Sequence, residues 1–181
     1  SDPKSDWQPV FMNASNGYAL TQVLDVILPK TDTPGASELN IAQFIDSYMD
    51  EVAGDKQREE FKAGANAFAL SFKENFDKEL EDGEAKDFEK AVAKYLGADE
   101  ETRNAYLKRI SETQDPEAPE ADFDAHAGSY AYLNAVRDLG IWAWKNSEAV
   151  GENVLWYDPI PGAYLGCIST EEAGGGKTMS L

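Results

Sequence analysis

Long apolar runs, cysteine, histidine and basic residues are all scarce in this chain of 181 residues. No apolar stretch approaches the roughly 20 residues that a membrane-crossing helix needs. A single cysteine, Cys167, rules out an internal disulfide; in an oxidising compartment it implies a free thiol or a bond to another chain. A single histidine, His126, leaves little for a zinc site or for nucleophilic machinery built on an imidazole base. Lys and Arg total 16 against 34 Asp and Glu, a formal charge of −18. That field repels phosphate backbones and anionic lipid, and no basic cluster offsets it, which speaks against nucleic acid as a partner. Strand-type alternation is nearly absent. The chain opens without methionine on the polar residues 1–6, which reads as the end left when a targeting segment is removed.

What is present is the material of one helical domain. Hydrophobic residues make up 42% of the chain, enough for a core in a domain that hides roughly 70% of its unfolded surface. Leu20, Val23, Leu24, Ile27 and Leu28 recur at spacings of three and four, predicting a first helix over residues 17–28 that Pro29 ends. Phe44, Ile45, Tyr48, Met49 and Val52 predict the buried stripe of a second helix over 41–52, closed by Gly54. Asp55 is placed to cap a long third helix, whose stripe of Phe61, Ala65, Phe68, Phe72, Phe76 and Leu80 reads as a helix–helix seam. A fourth helix buries Phe88, Val92, Tyr95 and Leu96. A fifth, capped by Asp99, carries Tyr106, Leu107 and Ile110, and a last one covers 128–144 with Leu133, Val136 and Leu139 as anchors. The expected fold class is all-α: a single-domain helical bundle over 17–145, preceded by a polar segment 1–16 and interrupted by an acidic loop 111–127. An extended tail rich in proline, glycine and aromatic residues follows over 146–181, with a mobile glycine-rich end.

Candidate chemistry is thin. The run Gly174, Gly175, Gly176, Lys177, Thr178 resembles the end of a phosphate-binding loop, but Glu171 stands where that loop needs glycine and no helix can follow. Asp122, Asp124 and His126 alternate like calcium ligands, yet Ala127 and Leu133 replace the required glycine and carboxylate. These residues read as a solvated acidic loop. Carboxylate pairs abound in so acidic a chain, and nothing singles out one pair for acid–base work. Trp142, Trp144, Trp156 and Tyr157 suit both core and partner contacts, with some of them serving each role.

Two segments resemble the family called gluconate 2-dehydrogenase subunit 3. The first runs from Thr21 through the helix end Val26, Ile27, Leu28, Pro29 and Lys30 into the turn Thr31, Asp32, Thr33, Pro34, Gly35, Ala36, continuing to Phe44, Ile45 and Asp46. The second runs from Asn146, Ser147 and Glu148 through Trp156, Tyr157, Asp158, Pro159, Ile160, Pro161 and Gly162 to Gly166 and Cys167. The resemblance implies a small accessory subunit, not an enzyme on its own, of a bacterial membrane-associated dehydrogenase for sugars or sugar acids. Its large partner would be a flavoprotein of the glucose-methanol-choline type, often joined by a multihaem cytochrome c. FAD and haem would then sit on partner subunits and no cofactor on this chain. The role implied is in maturation, export or assembly of the flavoprotein, at a periplasmic or cell-envelope location. The docking segment expected under this reading is Trp156, Tyr157, Pro159, Pro161, Tyr164 and Cys167, with Cys167 placed to bond a partner cysteine. The alternatives left open are an orphan periplasmic binding protein and a stand-alone enzyme using carboxylates.

Overall fold

A computed structural model describes residues 7–114 and 124–154. Among them are seven α-helices and no strand: α1 (Ala14–Ile27), α2 (Ile41–Glu51), α3 (Asp55–Phe76), α4 (Ala85–Leu96), α5 (Glu100–Gln114), α6 (Ala125–Lys145) and α7 (Glu148–Asn153). A single 3-10 turn, Leu80–Asp82, lies between α3 and α4. The helical bundle expected from the 3.6-residue periodicity is what forms. Helix α6 is its axis, touching each of the other six helices, with α3 as its main neighbour.

Helix ends follow local chemistry. Asn13 caps α1 by accepting the amide of Asn16 at 2.7 Å, three residues earlier than the apolar stripe alone indicated. Gly54, not Asp55, holds the cap position of α3. That helix stops at Phe76 because Asp77 adopts a left-handed conformation (φ 54°), and Leu80 buries itself from the 3-10 turn instead. Asp99 caps α5 through the amide of Thr102 at 2.8 Å, as its position suggested.

The acidic loop is shorter than expected. Residues 111–114 complete α5, and residues 125–127 open α6, because Asp124 accepts the amides of His126 and Ala127 at 3.0 Å. The extended tail also begins later, since α7 occupies residues 148–153 and buries Val150 completely.

The core is a seam of apolar side chains from four helices around α6. Leu20, Val23 and Leu24 of α1, Ile45 and Met49 of α2, Phe68 and Phe72 of α3, and Phe88 and Tyr95 of α4 are buried against Leu133 and Val136. The aromatic stripe of α3 is thus core, with Phe72 and Phe88 stacked at 4.8 Å between ring centroids. Two glycines let α3 and α6 approach closely. A Cβ on Gly64 would lie 2.8 Å from the Tyr132 Cβ, and one on Gly128 only 2.6 Å from the Ala67 Cβ.

Ahead of α1, the segment from Val10 to Met12 is tied down by one buried carboxylate. Asp46 accepts the backbone amides of Val10 (2.6 Å), Phe11 (3.2 Å) and Met12 (2.9 Å). Phe11 is thereby pressed onto Phe61, with the Lys62 ammonium 4.5 Å from its ring centre.

Candidate partner-binding surface

The residues expected to dock a partner, Trp156, Tyr157, Pro159, Pro161, Tyr164 and Cys167, all lie outside the described residues. The described residues present a different aromatic surface, built by α2 and α6. Its centre is Trp142, 49% exposed, with Phe44 at 5.6 Å and Tyr48 at 6.2 Å between ring centroids. Phe44 and Tyr48 stack on each other one helical turn apart at 6.3 Å. Val52, one turn further along α2, is exposed as well. The expected buried stripe of α2 therefore splits: Ile45 and Met49 enter the core with Ile41 and Ala42, while Phe44 and Val52 face outward. The apolar residues of α2 span an arc too wide for one seam, and that excess width is the signal that marks a second, outward face.

The two tryptophans of α6 also divide. Trp144 turns inward and donates its indole N–H to the carbonyl of Pro34 at 2.8 Å. Pro34 belongs to the turn between α1 and α2, which closes tightly: the Ala36 amide reaches back to the Leu28 carbonyl at 2.9 Å. Asp25 binds both the amide (3.1 Å) and the hydroxyl (2.7 Å) of Ser37. A Cβ on Gly35 would come within 2.7 Å of the Lys30 backbone nitrogen, so glycine is required there by space. The Thr-Asp-Thr-Pro-Gly-Ala turn is thus explained by architecture. It locks the end of α1 to the end of α6.

Beside the aromatic surface runs an apolar groove of about 660 Å³ between α3, α5 and α6. Leu139, one turn before Trp142 on α6, lines one part of it, and Ile110 of α5 lines another. Leu139 and Trp142 lie on one face of α6, so the groove borders the aromatic face.

Three polar side chains meet near the start of α6. The Tyr95 hydroxyl and His126 Nδ1 are 2.7 Å apart, and His126 Nε2 lies 3.3 Å from a Glu74 carboxylate oxygen. These contacts tie α4, α6 and α3 together. Burial pushes the Asp124 carboxyl up, but the amides of Ala127 and His126 and the Arg109 guanidinium outweigh it and hold the group below its ordinary range. Asp124 is therefore occupied as a helix cap and His126 by Tyr95 and Glu74. Among the described residues, no three His, Cys, Asp or Glu side chains cluster as metal ligands would.

Six carboxyls among the described residues are displaced from their ordinary range. Glu38, Glu81, Glu84, Asp87, Asp99 and Asp124 are all held below the ordinary carboxylate range by hydrogen bonds and neighbouring cations.

Fold and surface together define an all-helical protein with an exposed aromatic and apolar face suited to association. The family model for gluconate 2-dehydrogenase subunit 3 matches residues 14–162, and the chain belongs to that family. The match takes in both the turn after α1 and the start of the tail. No curated protein and no solved structure matches the chain. The family's name makes its members subunits of a dehydrogenase. No helix among the described residues is long and apolar enough to cross a membrane.

Proposed function

We propose that this chain is a non-catalytic accessory subunit that docks on the flavoprotein subunit of a sugar or sugar-acid dehydrogenase and assists its maturation, export or assembly. The observation that carries this reading is the half-exposed trio Phe44, Tyr48 and Trp142 on a chain of this family. Large aromatic side chains left in water beside an apolar groove are the usual anchors of a protein interface. FAD, and haem where a cytochrome c takes part, belong to the partner subunits in this reading, and the complex works at the periplasmic or envelope side of a bacterial cell. Trp156, Tyr157, Pro159, Pro161 and Tyr164 extend the docking surface, and Cys167 supports a bond to the flavoprotein.

Co-expression with a flavoprotein dehydrogenase subunit from the same organism tests the proposal. The two chains are expected to co-purify, and a Phe44→Ala/Trp142→Ala variant to weaken the complex at least about tenfold, as loss of aromatic anchors does. Running the same purification with and without reductant reads the Cys167 bond. A chain that stays monomeric beside the flavoprotein, and leaves its yield and FAD content unchanged, overturns the reading.

A further inference from the structure

The groove beside the aromatic trio has a chemistry that narrows what it can hold. Its floor is made of small side chains, Gly64 and Ala67 on α3 facing Gly128, Ala131 and Ala135 on α6. The close approach of the two helices at Gly128 leaves this floor without bulk of its own. Its walls are apolar. Its rim carries the carboxylates of Glu60, Asp124 and Asp138 against one cation, Arg109.

The neighbouring cations neutralise that rim in part, through exposed pairs. Arg109 is shared between Asp124 at 3.4 Å and Glu112 at 3.7 Å. Lys56 reaches Glu60 only at 3.8 Å, and Arg137 meets Asp138 at 3.0 Å, in pairs that remain well exposed. Pairs of this kind contribute about 0–1 kcal/mol each, so a better-placed cation can displace them.

We infer that the groove receives an apolar segment of the partner polypeptide flanked by lysine or arginine, the small-residue floor taking its apolar side chains and the rim its cations. The inference rests on the docking role proposed above and names the chemistry of what docks. Charge selects this occupant over the two others at hand. A second copy would bring another −18 to an acidic rim. The chain's own residues 155–181 offer Lys177 as their only cation, against Asp158, Glu171 and Glu172.

The test uses the full chain in complex with the flavoprotein subunit, with affinity measured by titration calorimetry across a salt series. Ala135→Trp fills the floor and is expected to weaken binding at least about tenfold while circular dichroism and Tm hold. Glu60→Lys/Asp138→Lys, two surface changes, is expected to weaken binding about tenfold at low salt and to flatten the salt dependence. If the wild-type complex forms and both variants match it in affinity and salt slope, the groove assignment falls and the docking role stands. If no wild-type complex forms at any salt concentration, the docking role itself falls. Removal of residues 155–181 checks the nearest competitor. A groove that binds the dye ANS only after this truncation is filled by the chain's own tail, and the inference is overturned. A dimer in sedimentation that Ala135→Trp dissolves overturns it equally.

Discussion

Asp46 is the residue on which the amino-terminal segment depends. Its buried carboxylate is the acceptor for three consecutive amides, those of Val10, Phe11 and Met12. Asp46→Ala removes the acceptor of three amides, two of them in buried bonds, and is expected to cost roughly 3 kcal/mol, since buried unmet donors carry their full desolvation penalty. Urea unfolding monitored by circular dichroism checks this. Asp87 offers a residue-level pH dependence. The Lys78 ammonium at 2.7 Å and the Glu84 amide at 3.1 Å hold its carboxyl below the ordinary range. A depressed folded pKa gives its stabilisation in full above the unfolded value near about 4 and loses it as pH falls through the folded one. Wild type is therefore expected to exceed Asp87→Asn in stability by a constant margin at neutral pH, and the margin to shrink in denaturant titrations taken below about pH 4.

Packing of α3 on α6 is where a single methyl group decides the outcome. Alanine is the better helix former by about 1 kcal/mol, so Gly128→Ala would stabilise an isolated helix. Here the added Cβ meets the Ala67 Cβ at 2.6 Å, a short side chain with no flexible end to move aside. The helices must separate, and the net change is expected to be a destabilisation of about 1–3 kcal/mol, seen as a lower Tm in calorimetry. Elements were largely legible in the sequence because amphipathic helices repeat every 3.6 residues. Their ends were less so. Asp77 ends α3 by accepting a left-handed backbone that a stripe running on to Leu80 conceals. Helix α7 is six residues long and sits before a proline-rich stretch that reads as extended, so its pattern was too short to stand out. The tie from Asp46 to Val10 was not legible at all, because its partners lie 34 to 36 residues away and an aspartate in a helix normally reads as solvent-facing. For the interface, the carboxy-terminal aromatics drew attention, whereas Phe44 and Tyr48 passed for core. The wide apolar arc of α2 is readable in the sequence, but the position of α6 decides which side of that arc stays in water.

At the scale of the whole molecule, charge is the dominant feature. A formal −18 on one chain repels itself, and the ion pairs described are mostly exposed. Raising sodium chloride from about 0.02 to 0.5 M, which shortens the screening length several-fold, is expected to raise Tm; a Tm that falls would mean that the surface pairs outweigh the repulsion. The division of labour between Trp142 and Trp144 has a practical consequence as well. Two positions apart on one helix, they point to nearly opposite sides, one indole toward water and the other held by the Pro34 carbonyl. With the remaining tryptophans replaced by phenylalanine, the emission of Trp142 alone becomes an optical gauge of surface occupancy. That of Trp144 alone tracks the integrity of the α1–α6 junction, so a single fluorimeter can separate a chain that has lost its contacts from one that has lost its shape.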